Sequence, residues 1–293
     1  MMRDKFRGLL PESPQPARRL RFRGGTLDRI DGFESSFLKS KRNIVVYLPP
    51  NYDRLSDVVY PILLMQDGQN LFEPHTAFVP GKHWRLREAA DHTIRTGLVE
   101  PLIIVGIENA GAERIHEYTP THDAAREAGG QAAHYAQMLI EELLPILREC
   151  YRVAQGSPRV GVGGSSLGAL VSLYVALQHP DVFGRAAVMS PAAWWGDRAI
   201  LGEIEAFSGS EKPRLWLDIG AREGRDAVAD ARMVRDGLKA RGWSKADLYY
   251  REESFAEHDE AAWASRAPAM LQFLFPAKDP PRLPARRIRR STR

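Results

Sequence analysis

Short apolar segments alternate with longer amphipathic segments through most of this 293-residue chain, and that alternation restricts its fold more than any other feature. The apolar segments are rich in β-branched and aromatic side chains, and several are apolar throughout, which is typical of strands buried on both faces. We predict strands at 43–49, 60–66, 101–107, 159–164, 185–190, 214–220 and 247–253. We predict helices around 84–97, 134–150, 167–178, 197–207, 226–241 and 260–275.

Strands that alternate with helices predict an α/β fold, with a mostly parallel central sheet and helices on both faces. The first two predicted strands have no helix between them, so we expect an antiparallel N-terminal edge. Residues 41–277 are predicted to form a single domain, preceded by an N-terminal extension with a first edge strand at 1–40. A basic, disordered tail is expected at 278–293.

The net charge of +4 is unevenly distributed along the chain. Residues 1–23 carry a net charge of about +5 and the segment from Lys278 carries about +6, so the body between them is acidic, at about −7. A polybasic tail can bind nucleic acid or anionic lipid. Because the body is acidic, we expect no nucleic-acid partner for the whole protein.

The composition favours a cytoplasmic protein. The single cysteine, Cys150, cannot form an internal disulfide, which suits a reducing compartment. The N-terminal segment has basic residues but no apolar stretch of the kind found in secretory signals. No run of apolar residues is long enough to span a bilayer, so we expect no membrane partner.

The glycine-rich segment "RVGVGGSSLGAL" lies between a predicted strand and a predicted helix and has three interpretations. A phosphate-binding loop would need a lysine after Gly168, and none is present. A dinucleotide-binding turn would need a third glycine where Ser166 stands. A nucleophile elbow, G-x-S-x-G, fits Gly164, Ser166 and Gly168, whereas centring it on Ser165 would need a small residue at Leu167. Ser166 is therefore the candidate nucleophile.

A serine nucleophile needs a base to take its proton and an acid to orient that base. In α/β-hydrolases the acid and then the histidine follow the serine along the chain, each in a loop after a later strand. Glu223 follows the strand at 214–220, and His258 follows the last predicted strand. Asp218 lies within a strand and Asp226 opens a helix, so Glu223 is the preferred acid, with a neighbouring acid left as the alternative.

Acyl transfer at a serine also needs donors for the oxyanion of the tetrahedral intermediate. We expect one donor to be the backbone N–H of Leu167, directly after the nucleophile. We expect the other to be the N–H of Gln69, which the flexible Gly68 would allow to point inward. An ordinary Asp-Gly turn is the alternative interpretation of this segment.

Several motifs between Asn43 and Phe275 together resemble one family, the "Putative esterase" (esterase D-like and enterochelin-esterase-like) branch of the α/β-hydrolases. The motifs are "VVYLPPNYD", "DGQNLF", "ERIHEYTP", "GGSSLGAL", "SPAAWW", "LDIGAREG" and "EHDEAAW". The resemblance implies an α/β-hydrolase fold and the same nucleophile, base, acid and oxyanion donors. Ala169 departs from the family pattern, since many relatives have a second glycine there.

The predicted strands around the candidate site leave no room for a large helical lid, so we expect an open pocket rimmed by residues 67–83 and 109–131. Trp194 and Trp195 would wall this pocket, with core packing as the alternative. Arg114 would bind an acidic substrate, with a salt bridge inside its loop as the alternative.

These features predict a cofactor-free serine hydrolase that cleaves carboxylic esters through an acyl-enzyme, with no metal site. Acyl transfer, thioester hydrolysis and a non-catalytic binding role are the alternatives. We expect a small-molecule ester as the substrate, namely a siderophore lactone, an aromatic ester, a thioester or a short acyl ester. Homodimer formation is left open.

Overall fold

A computed structural model describes residues 24–278 except Ser56. The N-terminal segment up to residue 23 and nearly all of the predicted basic tail lie outside the described residues. The strands are β1 (Thr26–Phe33), β2 (Arg42–Leu48), β3 (Ile62–Gln66), β4 (Ile103–Ile107), β5 (His122–Asp123), β6 (Ala128–Gly129), β7 (Val160–Ser166), β8 (Arg185–Pro191), β9 (Arg214–Gly220) and β10 (Leu248–Glu253). All but β5 and β6, which form a small hairpin, belong to one eight-stranded sheet.

The main sheet has the order β1-β2-β4-β3-β7-β8-β9-β10. The pairs β1–β2 and β2–β4 are antiparallel and the other pairs are parallel. This confirms the mostly parallel sheet and its antiparallel N-terminal edge. The first two predicted strands, β2 and β3, are not neighbours in the sheet. The crossover through 86–95 carries the chain from β3 to β4 and places β4 between them.

Helices cover both faces of the sheet, as predicted. They are α1 (Leu86–Arg95), α2 (Arg114–Glu117), α3 (Ala132–Gln137), α4 (Leu144–Cys150), α5 (Leu167–Gln178), α6 (Trp195–Ala206), α7 (Arg225–Ala240) and α8 (Glu260–Leu274), with a π-helical segment, Met138–Leu143, joining α3 to α4. Within the described residues, no helix combines the length and apolar character needed to cross a bilayer.

Side chains that alternate along the strands divide the core into two layers. On β3, Leu64 packs in the layer with α5, whereas Leu63 and Met65 pack in the layer with α1 and α8. The carboxyl ends of β3, β7, β8, β9 and β10 all meet at one edge of the sheet, because these strands are parallel. This is the edge at which open α/β sheets bind their ligands.

Candidate active site

Ser166 stands on a strained turn at the carboxyl end of the sheet. It is the last residue of β7, and α5 begins at the next residue. Its φ of 57° and ψ of −124° are uncommon for a residue with a side chain and indicate a backbone held in place by its surroundings. A Cβ on Gly164 would lie 2.8 Å from the carbonyl carbon of Gly168, so the close approach of strand and helix requires glycine. The neighbouring Ser165 is buried, whereas Ser166 is partly exposed.

Glu223 and His258 form a hydrogen-bonded pair at the same edge of the sheet as this turn. His258 Nδ1 lies 2.7 Å from Glu223 Oε2, and the side chain of Glu223 is 1% exposed while that of His258 is 45% exposed. The other carboxylate oxygen, Oε1, accepts hydrogen bonds from the Gly220 N–H at 2.7 Å and from Ser190 Oγ at 2.6 Å. Burial alone would raise the pKa of Glu223, but the hydrogen bonds from His258, Ser190 and Gly220 outweigh it and lower that pKa. Glu223 is therefore held ionised against the imidazole.

The end of β8 connects this pair to the elbow. Ser166 lies opposite Pro191 in the sheet, and its carbonyl accepts a hydrogen bond from the Ala192 N–H at 3.1 Å. Ser190, the residue before Pro191, donates to Glu223. Within residues 24–278, Ser166 and His258 are not directly hydrogen-bonded, and such bonds commonly tighten only when substrate binds.

The two predicted oxyanion donors, the backbone N–H groups of Leu167 and Gln69, both lie in the first turn of a helical segment. Leu167 is the first residue of α5, so its N–H has no acceptor within the helix. Gln69 lies in the 3₁₀ turn Gly68–Asn70, whose hydrogen bonds begin at the N–H of Asn70 and leave that of Gln69 outside them. A Cβ on Gly68 would lie 2.4 Å from the carbonyl carbon of Gly106, so only glycine allows the turn to lie this close to β4.

A partly buried ion pair between Arg114 and Asp67 lies at the start of this turn. Asp67, with a φ of 56°, accepts two hydrogen bonds of 2.7 Å from Arg114 and one of 2.7 Å from the Asn109 amide. The Asn109 N–H also donates to the side chain of Gln69 at 3.2 Å. Burial would lower the pKa of Arg114, but the negative charge of Asp67 raises it well above its ordinary value. Arg114 thus forms a salt bridge that joins its own loop to the loop after β3, and not one inside its own loop as the alternative had it.

The two tryptophans after β8 have different environments. Trp194 is 44% exposed, and the guanidinium of Arg126 lies 5.1 Å from its ring centre. Trp195 is 1% exposed and donates its indole N–H to the Thr121 carbonyl at 2.9 Å, which ties the 109–131 loop to α6. Trp195 therefore packs in the core, and Trp194 alone of the two presents a face at the rim.

Ser190 and Asp67 also contact the predicted site residues, although neither was predicted from the sequence. Ser190 lies near the carboxyl end of β8, the strand next to the elbow. A polar residue at that position of a predicted strand is the sequence signal that could have predicted its role. Asp67 directly follows β3, at the same edge of the sheet.

The chain is similar to curated proteins and to solved structures. The Bacillus subtilis protein YbbA is 25% identical over 256 residues, which cover 83% of this chain and 96% of that protein. The siderophore triacetylfusarinine C esterase of Aspergillus fumigatus is 28% identical over 175 residues, 56% of each chain. An IroE-like serine hydrolase from Shewanella oneidensis superposes with a TM-score of 0.69 at 18% identity, covering 86% of this chain and 80% of that one, and shares the fold.

The family description "Putative esterase" matches residues 35–274, which include the elbow, Glu223 and His258. Together with the mixed sheet and its covering helices, this match identifies the chain as a carboxylic ester hydrolase with an α/β-hydrolase fold. The protein belongs to the "Putative esterase" family.

Proposed function

We propose that this esterase is a serine hydrolase in which Ser166, His258 and Glu223 act as nucleophile, base and orienting acid. The observation that supports this most strongly is the 2.7 Å contact between His258 Nδ1 and the buried carboxylate of Glu223, at the same edge of the sheet as a serine with a φ of 57°. A buried carboxylate on Nδ1 keeps the proton on that nitrogen and leaves Nε2 free to accept a proton.

In the acylation step, Ser166 Oγ attacks the ester carbonyl carbon while its proton passes to His258 Nε2. The carbonyl π electrons move to oxygen, and the N–H groups of Leu167 and Gln69 stabilise the resulting oxyanion. The intermediate then collapses, the bond to the leaving alcohol breaks, and His258 gives its proton to that alcohol. Throughout, Glu223 stabilises the imidazolium but does not take its proton.

In the deacylation step, water attacks the Ser166 ester and gives its proton to His258. When the second tetrahedral intermediate collapses, the carboxylic acid leaves and Ser166 Oγ recovers the proton from His258. The cycle consumes one water and needs no further reactant.

The substrate we propose is a small-molecule ester that reaches the serine from open solvent. The connection from β8 to β9 contains α6, which is kinked at Gly196, and we expect the loops after β3 and β4 to form the rim. Trp194 offers an exposed ring for a planar group. The name of the Aspergillus relative gives a siderophore ester as that protein's substrate, so siderophore esters belong in the first substrate panel.

The test is hydrolysis of p-nitrophenyl acetate and butyrate by the wild type and by Ser166→Ala, His258→Gln and Glu223→Gln. We expect Ser166→Ala and His258→Gln each to lower kcat by about 10⁴-fold or more. Rapid-mixing measurements should show a burst of nitrophenol as the acyl-enzyme accumulates.

Ser165→Ala is the matched control, because Ser165 is buried one residue away. It should keep most of the activity. Wild-type turnover by Ser166→Ala, or loss of turnover in Ser165→Ala alone, would contradict the assignment of the nucleophile.

A further inference from the structure

The hydroxyl of Ser190 lies at the centre of a buried polar cluster behind the proposed acid. Ser190 is 1% exposed, and its Oγ lies 2.6 Å from Glu223 Oε1. It also lies 3.0 Å from the indole nitrogen of Trp263 and 3.0 Å from Arg266 Nη2. The φ of Ser190 is 47°, a strained value for a residue with a side chain. Such strain in a buried residue indicates that the surrounding structure fixes its position.

The chemistry of these neighbours determines the direction of each hydrogen bond. An indole N–H and a guanidinium can only donate, so Trp263 and Arg266 occupy both lone pairs of Ser190 Oγ. A serine hydroxyl has a single proton, and the remaining partner is the Glu223 carboxylate, which accepts it. The Ser190 proton is therefore directed at Glu223, and the two donors behind it polarise the hydroxyl and strengthen the bond.

We infer that Ser190 is a positioning residue, which holds Glu223 in the orientation that His258 requires. This inference rests on the proposed function of the Ser166, His258 and Glu223 set. Ser190 and the Gly220 N–H fix Oε1 from one side, which leaves Oε2 facing His258. Without Ser190, the carboxylate keeps a single donor on Oε1 and can rotate away from the imidazole.

The helix that follows the base supplies both donors to Ser190. Asp259 caps α8 through a 2.8 Å hydrogen bond from the Ala262 N–H, directly after His258. Trp263 and Arg266 are three residues apart and so lie on one face of α8. The Trp263 ring also contacts His258 edge-on, with ring centres 5.0 Å apart. Helix α8 therefore positions the base directly and the acid through Ser190.

Asp218 balances the buried charge of Arg266. Arg266 Nε lies 3.4 Å from Asp218 Oδ2, and both side chains are buried. The same oxygen accepts the indole N–H of Trp216 at 2.6 Å. The guanidinium therefore lies between Asp218 and Ser190, where it can polarise the Ser190 hydroxyl.

A double-mutant cycle tests the inference, using kcat for p-nitrophenyl acetate in the wild type, Ser190→Ala, Glu223→Gln and the double variant. We expect Ser190→Ala to lower kcat by about 10- to 100-fold, as for other lost hydrogen bonds to a charged group, with KM unchanged. In the Glu223→Gln background, the same substitution should lower kcat by less than about threefold, because its effect passes through the carboxylate. A purely structural role would lower kcat by the same factor in both backgrounds.

Proton NMR gives an independent readout. The low-field resonance of the His258 Nδ1 proton reports its hydrogen bond to Glu223, and we expect it to shift or broaden in Ser190→Ala. Thr93→Val is the matched control, since it removes a buried hydroxyl that donates to the Ala89 carbonyl in α1. It should leave both kcat and the resonance unchanged. If Ser190→Ala does not fold, Ser190→Gly replaces it, because glycine accepts a φ of 47° without strain.

Unchanged kcat in Ser190→Ala, or equal losses in the two backgrounds, would overturn the role of Ser190. Such a result would leave the proposed function intact provided that Ser166→Ala remains inactive. Full activity in Ser166→Ala would instead refute the proposed function itself, so the two failures are distinguishable.

Discussion

Replacing Arg114 with lysine should weaken the turn that carries Gln69, the proposed oxyanion donor. Arg114 makes two hydrogen bonds of 2.7 Å to Asp67, and the two side chains are 26% and 9% exposed. Lysine keeps the charge but has no planar fork, so it can replace one of the two bonds. Losing one hydrogen bond between charged groups at this depth should lower the free energy of unfolding by about 2 kcal/mol. Asn109 still holds Asp67, so we expect the fold to survive.

The effect on catalysis follows from the displaced turn. Complete loss of one oxyanion donor costs about 10²- to 10³-fold in kcat, and a partial displacement should cost about tenfold with little change in KM. Urea unfolding measures the stability change, and p-nitrophenyl acetate turnover measures kcat. The matched control is Arg232→Lys, which alters an exposed two-bond pair with Glu252 and should change neither quantity much. If Arg114→Lys loses stability but keeps its full kcat, then the ion pair does not position the oxyanion turn.

Three further outcomes are expected. Gly164→Ala should lower the free energy of unfolding by about 2 kcal/mol and should also lower kcat, because the added Cβ would meet the backbone of α5. Gly202→Ala is the control, since open space surrounds its Cβ, and it should be neutral or slightly stabilising in urea unfolding. Trp194→Ala should raise KM for aromatic esters more than for acetate esters, and equal KM changes in steady-state assays would exclude Trp194 from substrate binding. Burial raises the pKa of Asp218 from its ordinary 3.8 to about 6, although Arg266 and Trp216 partly offset the effect. Between pH 3.8 and pH 6 the carboxyl is protonated in the folded state and ionised in the unfolded state, so the free energy of unfolding falls as pH rises. The free energy of unfolding of the wild type minus that of Asp218→Asn should therefore fall by about 2 kcal/mol from pH 4 to pH 6 in urea titrations, and a flat difference would contradict this assignment.

The strands and helices were predictable from sequence because each carries a local periodic pattern, but the strand order was not. The segment "IVVYL" of β2 and the segment "ILLMQ" of β3 have similar apolar character, and nothing in either shows that β4 lies between them. That order depends on how the crossover through α1 packs against the sheet, which is a property of the whole fold. The first edge strand was expected within residues 1–40 without bounds, because charged side chains in β1, "TLDRIDGF", weaken its apolar pattern.

The residues at strand ends were also predictable, since Ser166, Glu223 and His258 each follow a recognisable strand in the expected chain order. The contacts that hold them were not. Arg114 lies 47 residues from Asp67, and Arg266 lies 76 residues from Ser190. Pairs so far apart come together only in the folded chain, and no local pattern marks them. This is also why sequence alone left the role of Arg114 open between substrate binding and a salt bridge.

The measurement that most directly tests the proposed nucleophile is the mapping of a covalent fluorophosphonate adduct by peptide mass spectrometry. A fluorophosphonate reacts with an activated serine hydroxyl, so a structural serine with an unassisted hydroxyl stays unlabelled. We expect a single adduct on Ser166 in the wild type, no adduct in Ser166→Ala, and slower labelling in His258→Gln. An adduct on Ser165, or unchanged labelling of Ser166→Ala, would contradict the proposed mechanism.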